Sequence, residues 1–256
     1  MKKISFLFLV LFGGFEGYAQ TNVIHAQAPA TLTSSSPLPA GTASEYIVKG
    51  DIRVKFHDYL GAAACYSLAV ERSPDSAGTY LSRGSVRLIL RDFKGAIADF
   101  NKAVNIAPME KQAYKGRASV RLCMGDYTGA LADYNKIIAS HPGDVTSIQG
   151  RASAQLGLKD YKGAIRDYNA AIMINAADTE SYRRRGECRF QLKDYRGALL
   201  DFTRCIKLNP TYAEAYVNRG IVRYYLHQKD EMFIDLSKAK DLGDKVAPIY
   251  IAKYCN

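Results

Sequence analysis

The residues with the most regular chemistry in this 256-residue chain are arginines and aspartates. Arg83, Arg117, Arg151, Arg185 and Arg219 stand 34 residues apart, and Lys49 takes the same place one stride earlier. Four residues after these come Arg53, Arg87, Arg121, Arg189 and Arg223, with Gln155 as the departure. Twelve residues beyond that second series come Asp99, Asp133, Asp167, Asp201 and Asp235, preceded by Cys65. Basic side chains at i and i+4 share one helix face. Two chemistries fit: a ladder of Arg–Asp pairs joining two helices, or a continuous basic stripe that takes a polyanion such as an anionic glycan. The matched aspartates favour the ladder.

Catalysis finds little in the remaining reactive residues. His57 and His227 occupy equivalent places five strides apart, so they cannot form one site. His25 lies in a polar segment and His141 at a turn, and no HExxH, CxxC or phosphate-cradling glycine loop occurs. The five cysteines, Cys65, Cys123, Cys188, Cys205 and Cys255, fall at five different places in the stride. Cys188 and Cys205 are expected at different heights along one hairpin, which argues against a bridge. Small buried thiols are the simpler reading. No catalytic, cofactor-binding or metal-binding residue is expected, and the chain does not read as an enzyme. The net charge of +10 would suggest nucleic acid in a cytosolic protein, yet no RNA- or DNA-binding motif is present.

The elements that must carry these ladders repeat with the same stride. Tyr46, Tyr80, Tyr114, Tyr182 and Tyr216 share one register with Ile148; Ala62, Ala96, Ala130, Ala164 and Ala198 share another; Pro74, Pro108, Pro142 and Pro210 share a third. Within 77–110 the pattern predicts a first helix from about Gly78 to Leu90, a turn at Asp92, and a second helix from about Lys94 to Ile106. One such hairpin cannot bury its apolar face alone, whereas six stacked ones can. In copy two, Tyr80, Gly84, Phe93, Ala96, Phe100, Ala103 and Pro108 stand at repeat positions 4, 8, 17, 20, 24, 27 and 32. By these residues the chain resembles the tetratricopeptide family over roughly four fifths of its length. The resemblance implies an all-α, right-handed superhelix of six helical hairpins: 43–76, 77–110, 111–144, 145–178, 179–212 and 213–246. Residues 247–256 keep the register of a seventh first helix and read as a cap, with Tyr254 where a small residue normally sits. The sixth copy departs after Leu226, where Phe233, Leu236 and Ala239 are expected to supply a looser apolar face.

The resemblance also implies where a partner binds. Family grooves use positions 2, 5, 9, 12 and 13 of the first helix, with position 6 in some members. Mapped onto this chain, the candidate partner-binding residues are Lys115, Gln149, Arg183, Arg184, Glu187 and Asn218. Arg183 and Arg184 make the densest expected positive spot. Some relatives grip a peptide carboxylate through a clamp of which Lys115 and Arg184 match; Ser119, Gly150 and Glu180 do not, so the clamp is incomplete.

Residues 1–19 read as a bacterial secretory signal peptide. Lys2 and Lys3 precede the apolar run ISFLFLVLFGGF, and Gly17-Tyr18-Ala19 places cleavage between Ala19 and Gln20. The run is short for spanning about 30 Å of hydrocarbon, so no membrane span is expected after cleavage. Residues 20–42 are rich in Ala, Ser, Thr and Pro and read as a flexible tether. The expectation is an exported, periplasmic or secreted scaffold that binds a protein or peptide in its concave groove; the alternative is a binder of an anionic envelope polymer through the arginine ladders.

Overall fold

The computed structural model describes residues 41–254. The expected signal peptide, nearly all of the expected tether, and Cys255 with Asn256 at the end of the expected cap lie outside the described residues. Thirteen helices and no strand occur among the described residues. They pair as hairpins: α1 (Ala43–Lys55) with α2 (Tyr59–Arg72), α3 (Ala77–Ile89) with α4 (Phe93–Ile106), and α5 (Lys111–Met124) with α6 (Tyr127–Ser140). Next come α7 (Val145–Gly157) with α8 (Tyr161–Ile174), α9 (Thr179–Gln191) with α10 (Tyr195–Leu208), and α11 (Ala213–Tyr225) with α12 (Lys229–Asp241). The last helix is α13 (Ala247–Tyr254), packed on α12. Each helix packs on the next, so neighbouring hairpins stack chiefly through the second helix of one and the first helix of the next, and α5 also touches α3 and α7.

The turn inside each hairpin has one chemistry. Asp58, Asp92, Asp126, Asp160 and Asp194 each accept a hydrogen bond at 2.9 Å from the backbone N–H of Gly61, Gly95, Gly129, Gly163 and Gly197, which caps the second helix. The residue before each aspartate lies in the left-handed region: His57, Arg91, Gly125, Lys159 and Lys193, with φ between 59° and 77°. His57 and His227, which share this place, are therefore turn residues. Only Gly125 adopts this backbone without a steric penalty. The sixth turn follows the same path through His227 but has Gln228 as its N-cap residue and no side-chain cap.

Small residues set how closely the helices approach. Ala62, Ala96, Ala130, Ala164 and Ala198 are fully buried, as are Ala69, Ala103 and Ala171. The rings of Tyr66, Phe100, Tyr134, Tyr168 and Phe202 fill the gaps, and each such burial is worth roughly 1.5–3 kcal/mol. These rings also meet the next repeat. A Cβ placed at Gly116 would lie 2.2 Å from Phe100, and one at Gly150 would lie 2.3 Å from Tyr134. The glycines are thus seats for the preceding repeat's ring.

The sixth hairpin differs from expectation. Met232, Leu236 and Ala239 are buried, while Phe233 is half-exposed. Met232 takes the place where alanine stands in the other copies, and its flexible side chain fills the interface rather than loosening it. Beyond it, Tyr250 is buried on the tyrosine register and Tyr254 stacks on it with ring centres 5.9 Å apart, while also meeting Tyr224 at 4.9 Å. That aromatic cover closes the C-terminal end of the stack.

Candidate partner-binding face

The arginine ladder is held inside the scaffold. Arg83 grips Asp99 in a two-pronged fork, Nε to Oδ2 at 2.9 Å and Nη2 to Oδ1 at 2.7 Å, while Arg87 Nη1 donates to the same carboxylate at 2.8 Å. Arg117 with Arg121 on Asp133, Arg185 with Arg189 on Asp201, and Arg219 with Arg223 on Asp235 repeat the arrangement. In the fourth copy Gln155 stands where the second arginine would be, so Asp167 receives Arg151 alone, and Gln155 Oε1 is buried without a partner. The five aspartates are buried, at 5 % exposure or less.

The first arginine of each set does more than pair. Arg117 also donates to Asn101 at 3.0 Å, Arg151 to Asn135 at 3.0 Å and Arg185 to Asn169 at 2.6 Å, in each case on the second helix of the preceding hairpin. In four copies its guanidinium lies over the tyrosine three residues earlier, as Arg117 does over Tyr114 at 5.3 Å; Arg151 has Ile148 in that place. Each fork thus ties a hairpin together and ties it to the one before.

The first-helix face opposite this ladder carries the candidate residues. Lys115 donates to Thr146 Oγ1 on α7, and neighbouring Lys111 pairs with Asp144 at 2.8 Å. Burial works to raise the Asp144 carboxyl, but Lys111, Thr146 and the Ser147 N–H together hold it well below the usual carboxylate range. Gln149 reaches Asp178 at 2.6 Å and Ser181 at 3.1 Å. Ser85, Ser119 and Ser153 turn their hydroxyls back onto carbonyls one turn earlier. The middle of the face is polar and bonded from repeat to repeat.

Arg183, Arg184 and Glu187 come together at the α9–α11 end, in an arrangement unlike a positive spot. Arg183 is 2 % exposed and donates to Glu180, Glu187 and Glu214. Arg184 donates to Glu180 at 2.8 Å and Glu187 at 3.3 Å. Burial pushes the Glu187 carboxyl up to about 7, against the pull of both arginines. The same three glutamates hold Arg183 charged although burial opposes it. The reason is local: Glu180 and Glu187 lie at i−3 and i+4 from Arg183, on its own face of the helix. That spacing was visible in the sequence and was missed. Asn218 lies one turn beyond Glu214 on α11, 1 % exposed, with both amide atoms unpartnered.

Four cysteines are free thiols: Cys188 and Cys205 are buried, Cys65 is half-buried and Cys123 is exposed. Among the described residues no group of His, Cys, Asp and Glu is placed to hold a metal ion, and no helix is long and apolar enough to cross a membrane.

A tetratricopeptide repeat model matches residues 47–114 and again 115–182, more than half of the chain, and a second tetratricopeptide repeat model matches 179–212. The chain belongs to the tetratricopeptide repeat family. No curated protein matches it in sequence. Its hairpin stack is similar to the crystal structure of YrrB, described as a TPR protein with an unusual peptide-binding site, at TM-score 0.61 and 21 % identity, covering 75 % of this chain and 99 % of that one. It is also similar to a tetratricopeptide repeat protein from Parabacteroides merdae (TM-score 0.64, 20 % identity, 87 % and 86 % covered) and to Pseudomonas aeruginosa PilF (TM-score 0.69, 13 % identity, 82 % and 97 % covered). At these identities the likeness is one of fold. TPR proteins generally serve as non-catalytic scaffolds that bind protein partners.

Proposed function

We propose that this TPR protein is an exported, periplasmic or secreted scaffold of the bacterial cell envelope, which holds a peptide or partner helix along the concave face formed by α3, α5, α7, α9 and α11. The observation that carries this reading is the division of labour between the two faces of the first helices. The ladder face spends its arginines on buried aspartates and preceding hairpins, which leaves the face of Lys115, Gln149, Arg184 and Glu187 as the one built of varied side chains. A stack that varies on one face and repeats on the other reads as a constant frame carrying a specific surface. The peptide-binding site named for YrrB supports the same use of the fold. The export reading rests on Lys2, Lys3, the apolar run after them and Ala19.

The polyanion alternative loses the residues it rested on. Its stripe needed free guanidiniums, and the ladder arginines of copies two to six donate to buried aspartates. The test is a photo-crosslinking residue placed at exposed Gln112 on the groove face or at exposed Lys102 on the outer helix, in cells expressing the full chain. Partner adducts from the Gln112 position, absent from the Lys102 position, are expected. Adducts from Lys102 alone would place the partner on the outer surface instead.

A further inference from the structure

Resting on the groove reading above, we infer that the α9–α11 end of the face receives a cationic side chain, lysine or arginine, from the bound partner. The network there holds two guanidinium groups, Arg183 and Arg184, and three carboxylates, Glu180, Glu187 and Glu214. Glu180 and Glu214 alone offset the two arginines, and Glu187, buried between them, adds no charge that a partner meets. The accessible members decide which charge a partner meets. The Arg183 side chain is 3 % exposed and that of Arg184 is 12 % exposed, whereas Glu180 is 49 % exposed and Glu214 30 %. The arginines and Glu187 sit below, and Glu180 and Glu214 above. An anion approaching this end meets carboxylates first; a cation meets the acceptors it needs.

The glutamates retain acceptor capacity. Glu214 takes Arg183 on Oε1 and the Tyr212 hydroxyl at 3.3 Å on Oε2, which leaves lone pairs on both oxygens. Asn218 points to a ligand independently. It lies one turn after Glu214 on the same stripe of α11, is 1 % exposed, and neither its Oδ1 nor its Nδ2 has a partner. Its Oδ1 is an uncommitted acceptor one turn from Glu214, and a partner ammonium or guanidinium seated beside Glu214 would satisfy it. The residues around it, Val217 and Ile221, are buried and apolar, so a charge placed there is only weakly screened.

The test uses the full chain and pools of short acetylated, amidated peptides with randomised flanks and a fixed central Lys, Arg, Gln or Glu. Lys- and Arg-centred pools are expected to bind roughly tenfold more tightly than Gln- and Glu-centred ones. The double variant Glu180→Gln, Glu214→Gln is expected to bring the four pools to parity at a lowered melting temperature, since Arg183 loses two of its three carboxylate partners. If that variant unfolds, the single Glu180→Gln change, at a half-exposed site, is expected to lower the preference on its own. A preference for Glu-centred pools, or a cation preference that survives the glutamine changes, overturns the inference. Pools that crosslink to α9 and α11 without a charge preference overturn it while leaving the groove reading intact. Peptides that crosslink only to the outer helices, or pools that fail to bind, overturn both.

Discussion

Arg117 and Arg183 share a residue type and both are tied to carboxylates, yet they do different work. Arg117 faces a buried aspartate on the paired helix and an asparagine on the previous hairpin, so its charge is fixed by partners 16 residues away in either direction. Arg183 is tied chiefly to glutamates on its own helix, with Glu214 as its link to the next hairpin. The first arrangement recurs with every stride and must hold if the stack is to hold. The second occurs once, leaves Glu180 and Glu214 toward solvent, and is free to be specific. In a repeat protein, what recurs is frame and what occurs once is the candidate for recognition.

The largest expected effect comes from breaking the frame. Asp133→Asn leaves Arg117 and Arg121 facing a neutral group in a buried place, and a loss of about 3 kcal/mol in unfolding free energy is expected. Chemical denaturation of the full chain measures it, and an unchanged midpoint would show that the ladder does not carry the stack. The Arg183–Glu187 network should answer to pH instead. The Glu187 carboxyl stands near 7 in the fold against about 4.5 unfolded, so the folded chain holds a proton through that window that the unfolded chain has released. Its contribution to stability is complete below about 4.5 and is lost as pH rises through about 7. Glu187→Gln should therefore flatten the fall in unfolding free energy between those values, by on the order of 3 kcal/mol. Parallel curves for the two proteins would refute the assignment.

Completing the frame where it is broken is the third test. Gln155→Arg supplies the missing second donor to Asp167 and removes a buried, unpartnered carbonyl oxygen, for an expected gain of about 1 kcal/mol. A loss would mean that the fourth hairpin has settled around glutamine. The smallest effect is at the centre of the polar first-helix face. Asp144 is held below the usual carboxylate range, so its contribution is present above about pH 4 and is lost as pH falls through the folded value. Asp144→Asn keeps the helix cap but not the charge, and should cost about 0.5 kcal/mol at neutral pH and nothing in strong acid. A penalty that persists in acid would trace to the cap instead.

Much of the frame was legible because a strict stride converts one residue into a column. The helix starts and stops of 77–110 fell within a residue of those observed, and the pairing of Arg83 and Arg87 with Asp99 followed from their shared helix face and the matched aspartate series. The third contact, from Arg117 to Asn101, was not legible, since it depends on how one hairpin leans on the next. The left-handed turn at Lys159 and Lys193 was hidden too, because neither residue signals positive φ as glycine does at Gly125. On the groove face, positions were legible but states were not. Arg183 and Arg184 were read by their own charge, and the acids that cover them reversed its meaning. Phe233 and Met232 exchanged roles because Met232 holds the register of the buried alanines, and Phe233 stands one residue off it.

The central claim, that the partner lies on the concave face and the ladder is frame, is tested most directly by hydroxyl-radical footprinting of the full chain with and without its captured partner. Exposed Cys123 and Tyr224 report on the first helices, and exposed Met173 and Leu200 on the second. Protection of Cys123 and Tyr224 with unchanged labelling of Met173 and Leu200 is the predicted result. Protection confined to Met173 and Leu200 would contradict it.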